Sequence, residues 1–327
     1  MVAETTSPES KSKPLVSVVI AARNAAHQLP VIFAALDAQT LPRSAYEVIV
    51  VDDGSEDETA DVVQENGQAS LLRCDVPVGL PGARNTGIRA AAGEVIALTD
   101  ADTVPDPRWL EVGLRELRET GADILGGGVS VHLDERPSIA ALVDAMNWLN
   151  PRRCVEQGFP LGANIWARRE TFERWGLFEE GGASYGHDDA AWGKHATRGG
   201  ARLEFAPDAH VAHPPRSRLK DVSTKAYRLG LALAPHRRPP LNTVEGLPPL
   251  FLRPTPYLPP RKISMERIHE LGYSPTAKQR VLMHLSQWLF VRLPMLAGDL
   301  VGELSYRRAA RRPRPEHGAV SARGSRR

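Results

Sequence analysis

Short apolar runs alternate with amphipathic stretches from Leu15 to about Thr103. Residues 15–21 (LVSVVIA) are β-branched and apolar on both faces, the pattern of a strand covered from both sides. Behind Pro30, the helical spacing of Val31, Ala34, Ala35 and Ala38 predicts a helix whose first turn tolerates the proline. A second strand follows at 46–51 (YEVIVV), then a helix at 58–64 and a third strand at 70–73. A glycine-bearing loop, a helix at 83–92 and a fourth strand at 95–99 complete the run. Such alternation predicts an α/β fold with parallel strands joined by right-handed crossovers. Ligands of these sheets sit beyond the carboxyl ends of the strands. Three such ends carry polar chemistry: AARN at 21–24, DDGS at 52–55 and DADT at 100–103.

The pattern changes beyond Pro105. Helices are expected near 109–118, 139–148 and 188–197, a glycine-rich stretch at 126–129, and a strand at 202–205. Residues 235–260 hold nine prolines, too many for a regular element, and read as an extended connector or arm. After Tyr306 come eight arginines against one glutamate, expected to be a disordered basic tail. The segment 1–13 also reads as a disordered tail, without the apolar stretch of a secretory signal. No internal repeat is visible.

Composition narrows the function classes. Of the 327 residues, 42% are hydrophobic and 24% charged, which excludes wholesale disorder. A net charge of +2 is too balanced for a body that wraps nucleic acid, so no nucleic-acid partner is expected. The two cysteines, Cys74 and Cys154, lack CxxC spacing, which argues against a disulfide framework or a zinc site and for a reducing, cytoplasmic setting. Within 281–301, His284, Gln287, Arg292, Pro294 and Asp299 argue against a membrane span. The near-helical spacing of Leu282, Leu285, Leu289, Leu293 and Leu296 leaves two readings. The segment either packs on the domain or lies on an anionic membrane, making the protein peripheral at the inner face.

Asp100 and Asp102 close the fourth strand. In extended geometry, residues i and i+2 face one side, so the two carboxylates converge. Converging carboxylates stay charged cheaply only with a cation or donors between them, and Mg²⁺ or Mn²⁺ brought in with a diphosphate meets that need.

Six segments occur in order: VSVVIAARN, VVDDGS, GLPGARNTGIRAAAGEVIALTDADT, LGANIWARRETFERWGLFEE, GHDDAAW and VAH. Together they resemble glycosyltransferase family 2, whose GT-A fold is a Rossmann-like, mostly parallel sheet flanked by helices. The resemblance spans about residues 14–215. It implies a nucleotide-sugar-binding half at 14–104 and an acceptor-binding, catalytic half at 105–234 of the same domain. The arm and C-terminal helices at 235–305 and the tail at 306–327 lie outside it. It further implies that the loop with Ala21 and Arg23, together with Asp52 or Asp53, contacts the nucleoside, a UDP-sugar being the favoured donor. Gly79 and Arg84 would line the nucleotide, Asp100 and Ala101 the ribose or sugar. Asp102 would bind Mn²⁺ or Mg²⁺, with His213 completing the metal shell. Gly162, Ala163 and Asn164 resemble the loop beside the donor sugar. Trp166 and Trp192 are either saccharide-stacking surfaces or core.

The triplet His187-Asp188-Asp189 resembles the family's Glu-Asp signature, with histidine where glutamate is usual. Asp188 is the preferred catalytic base and Asp189 its near rival. The activity implied is metal-dependent, inverting transfer of a sugar to a hydroxyl of a carbohydrate, glycolipid or other acceptor. Two other readings stand beside it. A nucleotidyltransferase would be expected to carry GxGxR after the first strand, where this chain has AARN. A non-catalytic sugar-nucleotide sensor would not need both the DxD and the His-Asp-Asp groups. A dinucleotide dehydrogenase is excluded more firmly, since no GxGxxG follows strand one.

Overall fold

The structure is a computed structural model, and it describes residues 13–148, 150–180, 187–236 and 265–310. The tail expected at 1–13 (but for Lys13), most of the proline-rich arm, and the basic tail from residue 311 lie outside the described residues.

Three strands and three helices form the first half as the pattern predicts. They are β1 (Val16–Ala22), α1 (Leu29–Asp37), β2 (Tyr46–Asp52), α2 (Thr59–Asn66), β3 (Ala69–Arg73) and α3 (Gly79–Ala90), followed by β4 (Val95–Asp100). One difference lies in α3. The glycine-bearing stretch at 79–82 is its first turn rather than a loop, because the proline at position 81 suits the start of a helix.

The second half adds β5 (Val104–Pro105), α4 (Trp109–Thr120), β6 (Ile124–Val131), α5 (Ile139–Asn147), α6 (Pro151–Glu156), β7 (Asn164–Arg168) and α7 (Arg169–Trp175). It continues with α8 (Asp188–Arg198), β8 (Leu203–His213) and α9 (Leu219–His236). One sheet runs through both halves in the order β3-β2-β1-β4-β7-β6-β8-β5. The pairs β1–β2, β1–β4, β2–β3 and β6–β8 are parallel, while β7 runs against both its neighbours. The glycine-rich stretch at 126–129 is strand β6, and its glycines make room for a neighbour: a Cβ at Gly127 would strike the Asn164 amide.

The sheet is covered on both faces. Val18, Ile20, Leu29, Leu110 and Leu125 pack on one side, and Val19, Ile49, Val51, Ile88 and Leu98 on the other. Successive strand residues thus enter opposite cores, which is why β1 carries no polar face.

The C-terminal region joins this domain as α10 (Glu266–Glu270), α11 (Ala277–Ser286), a π turn (Gln287–Arg292) and α12 (Leu293–Ala310). The helix therefore runs past Tyr306 to Ala310, further than the arginine-rich composition suggests. Buried Ile268, Met283 and Val291 continue the main core. Gln287 exchanges side-chain hydrogen bonds with Asn147 of α5 at 2.7 Å each way. α9 and α12 meet backbone to backbone. A Cβ at Gly230 would hit the Met295 carbonyl, and one at Gly298 the Tyr227 carbonyl. Replacing Gly298 with alanine must push these helices apart. The expected outcome is a loss of roughly 1–3 kcal/mol, the usual cost of overpacking, read as a lowered Tm and earlier proteolytic release of α12.

Candidate active site

The carboxyl ends of β1, β2 and β4 open on one cleft of about 770 Å³. Ala21, Arg23, Asp53, Gly79, Asp100, Ala101, Asp102 and His213 all line it. Its entrance loops are tied to each other. Asn24 sits in the left-handed region at φ 51°, which asparagine tolerates. Its N–H donates to Ser55 Oγ and its Oδ1 accepts from the Glu56 N–H, both at 2.9 Å. Asp53 accepts from the backbone N–H groups of Val78 (2.6 Å) and Gly79 (3.0 Å), fixing where α3 begins.

Asp100 is the last residue of β4 and Asp102 lies in the turn that follows. The pair converges through this turn rather than through strand pleating. Thr103 closes it, donating its N–H (3.3 Å) and hydroxyl (2.9 Å) to the Asp100 carbonyl. The next two residues, β5, pair antiparallel with Val211 and Ala212, and this register delivers His213 to the acids. His213 Nε2 lies 3.5 Å from Asp102 and 4.0 Å from Asp100. Its Nδ1–H donates to the Pro214 carbonyl at 2.8 Å, which leaves the Nε2 lone pair available. One ligand atom from each of the three residues falls within a 4.8 Å group. Burial, with the nearby Asp100 charge, pushes the Asp102 carboxyl up against the opposing pull of His213. Two carboxylates and a neutral imidazole are a fitting donor set for a divalent cation.

Arg84 connects this group to α8. Its guanidinium, only 4% exposed, donates to Asp188 (2.6 Å), Asp100 (3.0 Å) and the Gly162 carbonyl (3.1 Å). Burial lowers the proton affinity of its guanidinium, but the charges of Asp188 and Asp100 outweigh that and raise it above the ordinary value. Arg84 is not among the residues lining the cleft at β1–β4, but it lines the second cleft beside α8. Asp188 is 1% exposed. Asp189 is half-buried and accepts from the N–H groups of Gly162 and Ala190, each at 2.7 Å. Burial and then the Asp188 charge push the Asp189 carboxyl up to about 6.

Asp188, Asp189, His187, Gly162 and Ala163 line a second cleft of about 850 Å³. It shares Leu80, Asp100, His213 and Arg216 with the first, so the two are continuous. Two of its cations were not singled out by sequence reasoning. Arg216 is bound to buried Asp144 through both its backbone N–H (3.0 Å) and its guanidinium (3.3 Å). Lys225 lies 4.5 Å from the centre of the Trp148 ring, and burial, then Arg216, push its ammonium down to about 8. No local motif marked either of them, and α9, which carries Lys225, was not foreseen.

The Glycosyl transferase family 2 profile matches residues 17–172. The glycosyltransferase AglE of Haloferax volcanii is 32% identical over 222 residues, covering 66% of this chain and 72% of that protein. The chain belongs to glycosyltransferase family 2. A pre-mycofactocin glycosyltransferase of Mycobacterium tuberculosis is 29% identical over 69% of this chain but only 48% of its own length. Among solved structures, the Pyrobaculum calidifontis mannosyltransferase PcManGT, in complex with GDP-Man and Mn²⁺, superposes with a TM-score of 0.52. It shares 20% identity over 94% of this chain and 79% of its own. S. aureus TarS 1–349 in complex with UDP-GlcNAc gives 0.52 at 16% identity, over 90% and 92%. These neighbours carry the GT-A fold, and with family membership they remove the nucleotidyltransferase reading.

Four expected ligand contacts of this glycosyltransferase are corrected by burial. Asn164 is fully buried, its Oδ1 accepting from the indole N–H groups of Trp109 and Trp166, both at 3.0 Å. Its amide nitrogen donates to the carbonyls of Gly128 (2.9 Å) and Ala209 (2.8 Å), so nothing remains for a sugar. Trp166 is also fully buried, edge-on to Trp109, and Trp192 is stacked on Phe172. Both tryptophans are core. Asp52 is fully buried too, accepting from the Ser55 N–H at 2.9 Å and facing Arg73 at 3.5 Å, so of the two adjacent aspartates only Asp53 lines the cleft. Asn164→Leu would strand two indole donors. We expect a loss of about 3 kcal/mol or more from unsatisfied buried groups, measured by denaturant unfolding, with the folded fraction keeping its KM.

Proposed function

We propose that this glycosyltransferase moves a sugar, with inversion, from a nucleoside diphosphate donor in the β1–β4 cleft to an acceptor hydroxyl in the cleft beside α8. What carries the reading is the continuity of the two clefts at Asp100 and His213, with Asp189 facing the second. Asp53 and the AARN loop hold the nucleoside. A carboxylate there suits the imide N–H of uracil, so a UDP-sugar is the donor we favour. The PcManGT and TarS complexes, with GDP-Man and UDP-GlcNAc, support a sugar nucleotide as the donor class.

Asp102 and His213, with Asp100 beside them, are the residues that hold Mn²⁺ or Mg²⁺. Bound there, the ion supplies positive charge to offset the leaving diphosphate. Asp189, rather than the Asp188 favoured by the motif, is the base. A base needs an accessible carboxylate with affinity for a proton near the working pH. Asp188 is buried and committed to Arg84, whereas Asp189 is more exposed and its carboxyl is pushed up to about 6. Asp189 takes the acceptor hydroxyl proton, the oxygen forms its bond to the anomeric carbon, and the bond to the diphosphate breaks with its electrons leaving on phosphate.

Four outcomes test this. Asp189→Asn should cut kcat roughly a hundredfold to ten-thousandfold, the range for losing a general base, while calorimetry shows unchanged donor affinity. Asp188→Asn should instead destabilise the fold by about 3–5 kcal/mol, because it strips a partner from a buried cation. Since Asp189 must be unprotonated, kcat/KM should fall as pH drops through about 6, and a profile flat down to the ordinary aspartate range would sink the assignment. Asp102→Ala, or chelation of the wild type, should remove metal-dependent binding of the nucleoside diphosphate in titration calorimetry.

A further inference from the structure

The described residues expose eleven large hydrophobic side chains, and seven of them lie on α11, the π turn and α12. Val281, Leu285, Leu289 and Leu293 recur every four residues, with Val301 and Leu304 beyond them. On a pure α-helix a step of four drifts by about 40° per repeat. The wider π turn at Gln287–Arg292 offsets part of that drift and keeps the stripe on one side. The other side is committed to the domain through Met283, Val291, Gly298 and Gly302, so the stripe cannot turn inward. Unpartnered apolar surface of this extent marks an interaction site.

Charge decides the partner. Between residues 271 and 302 the only carboxylate is Asp299, and it is fully buried. Lys278 and Arg280 are exposed at the start of the stripe, and residues 307–327 beyond it carry eight arginines against one glutamate. Two copies joined through this face would bring two arginine clusters together, whereas anionic headgroups would neutralise them. No described helix is long and apolar enough to cross a membrane, so the geometry is that of a helix lying in the interface.

We propose that the face formed by α11 and α12 docks on an anionic lipid bilayer, its leucines entering the interface and its flanking cations meeting the headgroups. The docking holds whatever reaction the clefts run. Resting on the glycosyl-transfer reading, it has one consequence for the acceptor. The same helices supply Gln287, Arg292 and Met295 to the wall of the acceptor cleft, so a docked enzyme receives lipid-borne acceptors at the bilayer surface.

Flotation of the full chain tests the docking. With phosphatidylcholine vesicles containing phosphatidylglycerol the protein should float, with phosphatidylcholine alone it should not, and added salt should weaken binding. Leu285→Glu with Leu289→Glu, both exposed, should cut flotation at least tenfold without changing Tm. A second variant with Arg311, Arg312 and Arg314 changed to glutamine should shift the salt dependence. Failure of the wild type to float on anionic vesicles, or equal flotation of all variants, overturns the proposal. So does a dimer in analytical ultracentrifugation that the leucine changes disperse, which would assign the stripe to a second copy. Donor binding measured on the same samples keeps this result separate from the transferase reading.

Discussion

A single buried guanidinium organises the junction of the two clefts in this enzyme. Arg84 leaves α3, reaches the end of β4 at Asp100, holds the first residue of α8 through Asp188, and bonds the Gly162 carbonyl before β7. Each partner comes from a different part of the chain, so the arginine ties β4, the segment before β7 and the start of α8 to α3 at the junction of the two clefts. A cation in that position is costly unless its donors are matched, and Asp188, Asp100 and the Gly162 carbonyl match them. The acids around it are therefore not interchangeable. One is consumed by the arginine, and its neighbour is left to face the open cleft.

That division explains how two adjacent aspartates come to differ. Both stand at the N-terminus of α8, where the helix dipole favours negative charge. Asp188 points inward to a fixed cation and Asp189 outward to the Gly162 N–H. Burial, and then the repulsion between them, raises the affinity of Asp189 for a proton. A structural salt bridge and a group fit to accept a proton thus arise from one dipeptide, through the facing of the helix alone.

Much of this was legible beforehand, and the failures have a common cause. Strands β1, β2 and β4 could be read because both faces are apolar, and the edge strand β3 because it falls between two amphipathic stretches. The DxD pair stood out by position, although a turn rather than a pleat brings its members together. Gly126, Gly127 and Gly128 read only as a glycine-rich stretch, because their reasons for being glycine lie elsewhere in the chain. A Cβ would meet Val155 at Gly126, the Asn164 amide at Gly127 and the Pro207 carbonyl at Gly128, and no local pattern reports that. Distant contacts likewise make Asn164 and Trp166 core, whereas Asp52 is buried with the nearby Ser55 N–H and Arg73 as partners. Polar groups in a strand-end motif are as readily used to satisfy the interior as to meet a substrate, and only burial separates the two uses. Lys225 is the converse, a lysine with no motif that packing against Trp148 places in the cleft.

The origin of the two clefts also differs. Most residues around the first come from the segment matched by the family profile, with only His213, Arg216, Arg228 and Leu231 arriving from beyond residue 172. The second draws a long wall from α9, α10 and the C-terminal helix. Those helices are locked by glycine contacts to one another and by Gln287 to α5, so their position is set by the domain rather than by a ligand. On the proposed reading, the acceptor cleft therefore has a wall whose shape the family motifs do not specify, built in part by C-terminal helices whose opposite face carries the exposed leucines. A change in how those helices pack would alter that wall and the leucine face together while leaving the Asp102–His213 group in place.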